Sequence, residues 1–245
     1  MPNTAQENFE LNHSFYIHLH EFYKQKRGLI RKNYTRLSRA FLDFNEPSRP
    51  GSFLRKPQFE ALEIYVFLKE FLDNKPVYQL FEDWYNNAGK FENKVTGGIE
   101  AVDGQLVQGD MFWEMSEKDY KGIFKRMKAS NGGRLYPNYI FALTMGTGKT
   151  ILMATCIFYD FLAGNKKSND ERFIQNALVF APDKTVLQSL REIESFDHSK
   201  VVPAEYMPII SEFKFHYLED AGVSRNTMDG SKFNSIVSNS QKISL

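Results

Sequence analysis

Five consecutive residues, Gly146-Thr147-Gly148-Lys149-Thr150, have the types and spacing needed to grip a polyphosphate. Two glycines let the backbone turn tightly with its N–H groups facing inward, where the start of a following helix adds positive dipole. Lys149 would bring a mobile cation to the β and γ phosphates, and Thr150 a hydroxyl for a phosphate-bound Mg²⁺. Thr144 and Met145 complete the turn on its N-terminal side. The chemistry this spells is the binding of a nucleoside triphosphate with magnesium. The plain alternative is an ordinary turn between a strand and a helix.

The strict phosphate-loop pattern asks for a glycine where this chain has Leu143. What remains specific is the delivery of Lys-Thr to a helix start by a Gly-x-Gly turn. Positioning elements flank it on both sides. Tyr139 to Leu143 reads as a strand. Ile151, Leu152, Met153, Ala154, Ile157, Phe158, Phe161 and Leu162 predict a helix that is apolar on nearly every side and ended by Gly164.

At 245 residues the chain is long enough for one large or two small domains, and 15% aromatics, including 22 Phe, suit a packed interior. With 31 basic and 30 acidic residues the net charge is +1, so overall charge neither favours nor excludes nucleic acid. The single cysteine, Cys156, excludes an intrachain disulfide and a cysteine-based zinc site. No apolar run reaches the roughly 18 residues of a membrane span, and the N-terminus lacks a signal pattern. A soluble protein of the reducing cytoplasm, without a membrane partner, is expected.

Residues 14–44 carry helical spacing at Phe15, Leu19, Phe22 and Tyr23. A basic run follows, Lys24, Lys26, Arg27, Arg31, Lys32, Arg36 and Arg39, which could meet a phosphate backbone or form a solvated helix face. His18 and His20 are two apart and make a poor metal pair. Pro, Ser and Gly mark 45–51 as a loop. Pro57 then opens a helix reaching about Asp73, with Gln58 in its first turn. The amide of that glutamine complements the N6 and N7 edge of adenine, although taken alone its type and place fit a structural role better.

Val77 to Tyr85 reads as an aromatic helix, residues 94–107 as a hairpin around Asp103-Gly104, and Ser116 to Lys128 as a capped helix. Aromatics there could stack bases, but core packing accounts for them better. Beyond the glycine turn, Asn176 to Ala181 is a short continuous apolar run, the pattern of a parallel strand covered on both faces. A helix capped by Asp183 should follow to about Phe196, with further strands at 213–218 and 235–237. Strand, phosphate turn, helix, strand, helix is the order of an α/β fold with a parallel sheet.

Three of these segments resemble, in the same order, the first motor domain of superfamily-two helicases, most closely the translocating subunit of type III restriction enzymes. Leu54-Arg-Lys-Pro-Gln-Phe-Glu-Ala-Leu62 is similar to that family's adenine motif, Leu143-Thr-Met-Gly-Thr-Gly-Lys-Thr150 to motif I, where Leu143 takes the place of an alanine, and Ala177 to Gln188 to motif Ia. Phe233 to Ile243 is similar to the segment carried just before motif II. The resemblance implies an incomplete RecA-like P-loop sheet with flanking helices, over 51–75 and 139–245. Residues 1–50 would then be an N-terminal helical segment and 76–138 an inserted mixed α/β subdomain.

It also implies ATP and Mg²⁺ as cofactors, held by Gln58, Thr144, Met145, Gly146, Thr147, Gly148, Lys149 and Thr150. Lys149 and Thr150 would be the catalytic pair, with Thr150 on the magnesium. Lys184 and Thr185 would touch nucleic acid, and the partners would be double-stranded DNA and a methyltransferase or specificity subunit. Two departures temper this. The long separation between Gln58 and Lys149 makes 76–138 an addition to the family core. Motif II, the Asp-Glu pair that holds magnesium at a strand end, has no counterpart: Asp170-Glu171 lies in a polar loop and Glu219-Asp220 is reversed and early. The second motor domain and its arginines are also lacking, so the chain reads as the N-terminal part of such an enzyme, binding nucleotide with little hydrolysis. A non-catalytic nucleotide- or DNA-binding module and a small P-loop kinase are the rival readings.

Overall fold

The structure is a computed structural model. It describes residues 4–92, 116–132, 134, 136–144, 146–167, 169–181, 184–218 and 234–239; at 4–14, 184, 185, 189 and 239 it describes the backbone alone. The chain forms two compact units, one of residues 1–30 and 71–140, the other of 31–70 and 141–245. The sequence reading draws its lines at 50/51, 75/76 and 138/139. Loop composition marks where the chain turns, whereas the units follow which segments share a core.

Helix α1 covers Thr4–Asn33. In the first unit its residues Phe15 and Phe22 share an aromatic core with α4, Val77–Tyr85, and with Phe91. Phe15 meets Phe81 edge-on at 5.3 Å, and Phe22 and Trp84 each meet Phe91 at 5.1 Å, the offset geometry that ring quadrupoles favour. Helix α5, Glu117–Ser130, is capped as its sequence indicates: Ser116 accepts the Asp119 N–H. Its Tyr120 stacks on Tyr85 of α4 at 3.9 Å. Phe15, Phe22, Phe81, Trp84, Tyr85, Phe91 and Tyr120 are therefore packing residues. The hairpin read at 94–107 lies outside the described residues.

In the second unit the long N-terminal helix read from the sequence gives way to a separate α2, Arg36–Asn45. The break falls at Thr35, whose hydroxyl accepts the Ser38 N–H and caps the new helix. Helix α3, Lys56–Val66, has Pro57 in its first turn as expected and passes into a π-helical turn at Phe67–Phe71. Helix α6, Lys149–Lys166, runs two residues past Gly164. Its Leu152, Phe158, Phe161 and Leu162 are buried, and Phe161 meets Phe213 at 4.6 Å.

Three parallel strands follow: β1 (Asn176–Ala181), β2 (Lys214–Tyr217) and β3 (Asn234–Asn239), in the order β1-β3-β2. Leu178 pairs with Ile236, which pairs with His216. Between β1 and β2 run the short helices α7 (Lys184–Leu190) and α8 (Glu192–Ser195), where one longer helix to about Phe196 is expected from the sequence, and α9 (Met207–Ile210). The architecture is mixed α/β with a parallel sheet.

Two strand expectations are corrected. Tyr139 to Leu143 belong to no strand. An apolar run becomes a strand only by sharing backbone hydrogen bonds with a neighbour, and β1 and β2 pair only with β3. Strand β1 is also covered on one face only: Ala177, Val179 and Ala181 are buried while Leu178 and Phe180 are half exposed. Alternation along a strand separates its faces, and an unbroken apolar run conceals that difference.

Candidate functional site

The second unit brings the start of α3 to the start of α6. Gly146 and Gly148 adopt φ of +74° and +73°, the left-handed region in which a side chain is strained. This double reversal lets the chain enter α6 at Lys149 with Gly148 as N-cap. The first helical bond is Leu152 N–H to the Gly148 carbonyl, so the N–H groups of Lys149, Thr150 and Ile151 have no acceptor within the helix. Those donors and the helix dipole favour an anion at this end.

Side chains of the turn fold back on it. The Lys149 ammonium donates to the Thr144 carbonyl at 2.7 Å, and the Thr147 hydroxyl donates to the same oxygen at 2.6 Å. Gly146 and Lys149 are exposed and Thr147, Gly148 and Thr150 half-buried, so the turn opens to solvent. A cation tethered to a neutral carbonyl is available to exchange that bond for a phosphate oxygen, since charge-assisted bonds are the stronger.

Gln58 reaches the turn from α3. Its Oε1 accepts the Arg55 N–H at 2.8 Å, capping that helix, and its Nε2 donates to the Gly148 carbonyl at 3.0 Å. The side chain is buried. Arg55, not singled out by sequence, donates to the Gly146 carbonyl at 3.4 Å. Its only sequence signal is its place beside Gln58 in the Leu-Arg-x-x-Gln segment.

Of the expected nucleotide-binding residues, Gln58, Thr144, Gly146, Thr147, Gly148, Lys149 and Thr150 therefore lie together, and Met145 lies outside the described residues. Lys184 and Thr185 open α7, and their side chains lie outside the described residues. Among the described residues no group of three His, Cys, Asp or Glu could hold a metal by itself. Any magnesium here would be carried largely by phosphate oxygens, with the Thr150 hydroxyl as the protein's donor. Asp170, a carboxylate tested as a motif II counterpart, is engaged: the Arg172 guanidinium grips it at 2.9 and 2.8 Å and holds its carboxyl below the usual range. Glu219 and Asp220 lie outside the described residues.

The basic run is also partly committed. Arg31 donates to Asp43, Glu46 and Glu63 at 2.9, 3.1 and 3.3 Å, and Arg39 to the Lys32 carbonyl at 2.9 Å. Arg31 thus ties α1 to α2 and α3 within the second unit.

Farther along α6, about three turns from Lys149, lies a second polar cluster that sequence reading missed. Asp160 is 1% exposed and meets the Lys69 ammonium and the Tyr65 hydroxyl, each at 3.0 Å. Lys69 also donates to the Arg172 carbonyl. The next residue, Glu70, accepts from the Ser38 hydroxyl, from the Thr35 N–H and, at 3.2 Å, from the Tyr159 hydroxyl. Burial pushes the Asp160 carboxyl up to about 6 despite Lys69, and raises the Tyr65 and Tyr159 hydroxyls well above the ordinary range, keeping them donors. Lys69 and Glu70 sit on the π-helical turn, which presents Lys69 to a set of acceptors and the adjacent Glu70 to a set of donors. Asp160 lay hidden in an apolar run.

Among the described residues no helix is long and apolar enough to cross a membrane. Comparison of the chain with protein-family models, with curated proteins and with solved structures finds no match.

Proposed function

We propose that this chain binds ATP with Mg²⁺ at the Gly146–Thr150 turn and forms the nucleotide-gripping part of an ATP-dependent DNA translocase resembling type III restriction enzymes, with a RecA-like second unit. One observation carries the nucleotide reading: two left-handed glycines deliver Lys149 and the free N–H groups of an 18-residue helix to an exposed anion-ready turn. Gln58 at the same turn and the parallel sheet support it. DNA as the tracked partner rests on the resemblance of the motif segments.

In this reading the turn's N–H groups and Lys149 hold the β and γ phosphates, and Thr150 orients the magnesium. Lewis-acid polarisation of the γ-phosphate would come from that ion. Phosphoryl transfer also requires a carboxylate-positioned water and charge stabilisation by arginine. Asp170 is held by Arg172, so the described residues offer a grip without those partners. Hydrolysis of ATP by the chain, measured with and without duplex DNA, should stay near background while ATP is bound. Robust DNA-stimulated turnover would overturn the division between grip and catalysis. A non-catalytic nucleotide-binding module fits the same grip, and full-length enzyme that binds DNA independently of ATP would favour it.

A further inference from the structure

We propose that Gln58 and Arg55 form a positioning clasp that holds the glycine turn in its phosphate-receiving shape, and that Gln58 shapes the turn instead of reading the base. This rests on the nucleotide reading above.

The Gln58 amide is polarised by its two partners. Arg55 N–H can only donate, so it fixes the oxygen; the Gly148 carbonyl can only accept, so it fixes the nitrogen. Bidentate reading of an adenine edge needs that same donor and acceptor facing the base together. Here each is directed at backbone, and the side chain is 5% exposed.

A Cβ at Gly148 would stand 2.5 Å from Gln58 Nε2, so any side chain there would push the Gln58 amide off its carbonyl, in addition to the strain of φ +73°. Gly148 thus serves both its own conformation and the approach of Gln58. Gly146 has the same backbone conformation, and its carbonyl is held by the Arg55 guanidinium.

The consequence follows from peptide geometry. In a planar trans peptide the carbonyl and the next N–H point in opposite directions. Gln58 adds a second donor to the Gly148 carbonyl, which the Leu152 N–H already aims along α6, and the two together keep the Lys149 N–H pointing out of the helix start; holding the Gly146 carbonyl likewise turns the Thr147 N–H away from Arg55. The clasp orients two of the donors that would receive phosphate before any ligand arrives, which lowers the ordering cost of binding.

The substitution Gln58→Glu separates the two roles. Its carboxylate still accepts the Arg55 N–H and so retains the α3 cap, but it turns an oxygen toward the Gly148 carbonyl. Binding of MgATP, MgGTP and magnesium tripolyphosphate, which has no base, would be titrated on the full chain. All three should weaken by the same factor, about tenfold. Loss of ATP binding with tripolyphosphate binding intact would show a base reader and overturn the clasp. A second arm uses Gly148→Ala alone and with Gln58→Ala: the alanine at 148 should cost less tripolyphosphate affinity once Nε2 is gone, and additive losses would overturn the proposal. Wild-type protein that binds none of the three probes overturns the nucleotide site itself; normal binding by wild type with Gln58→Glu unchanged overturns only the clasp.

Discussion

At its start α6 meets an exposed turn through single hydrogen bonds, whereas about three turns on the same helix is anchored by buried charges. Lys149 is exposed and tied to one neutral carbonyl; Asp160 and Tyr159 are 1% and 0% exposed and tied to Lys69, Tyr65, Glu70 and Ser38. The first arrangement can be exchanged for a ligand at little cost. The second cannot be broken without leaving a charge stranded in a low-dielectric interior. One helix thus combines a fixed body with an adaptable tip, and a phosphate grip needs both.

The sharpest way to break this contrast is Asp160→Ala. Lys69, 5% exposed, would lose its counter-charge, and unfolding in denaturant should show a loss of about 3 to 5 kcal/mol. Replacing both partners, Asp160→Leu with Lys69→Met, should cost far less, because no charge is then left unpaired. A single and a double variant of equal stability would show that the pair is not the anchor.

A smaller effect is expected at the tip. Gly146→Ala meets open space but must hold φ +74°, a strain of about 1 to 2 kcal/mol. Its loss should appear in phosphate binding more than in the melting of the sheet. Equal losses in both would erase the distinction between tip and body.

The smallest effect concerns pH. Asp160 ionises near pH 6 in the folded chain, against an ordinary carboxyl value near 4 when unfolded. Between those values the native state holds the extra proton, so this group's contribution to stability falls as pH rises from about 4 to about 6 and is flat beyond. Unfolding measured across that range should show a component of this sign in the wild type that Asp160→Asn removes. An identical pH profile in the two proteins would place the Asp160 carboxyl at its ordinary value.

Legibility in the sequence followed the same divide. The glycine turn was readable because its residues are contiguous and each has a local backbone reason; helix starts at Pro57 and Ser116 were readable for the same cause. The Asp160 anchor was not, since Lys69 and Asp160 are far apart in the chain and the aspartate sits among Phe158, Tyr159, Phe161 and Leu162, where periodicity reports only burial. Tyr139 to Leu143 were misread as strand because apolar content does not reveal whether a hydrogen-bonding neighbour exists. Thr35 could have been recognised, since threonine is a favoured N-cap residue, but the helical spacing around it was read straight through. Gln58 was read as an adenine contact, and only its hydrogen bonds show that both amide atoms face backbone.

The central claim is that the exposed tip of α6 grips nucleotide phosphates. Titration of the chain with ATP in Mg²⁺, on wild type and Lys149→Ala, tests it most directly. Saturable binding by the wild type, weakened in the variant by about 1.5 to 3 kcal/mol with unchanged thermal stability, is the predicted result. Equal affinity in the two proteins, or no binding by either, would contradict it.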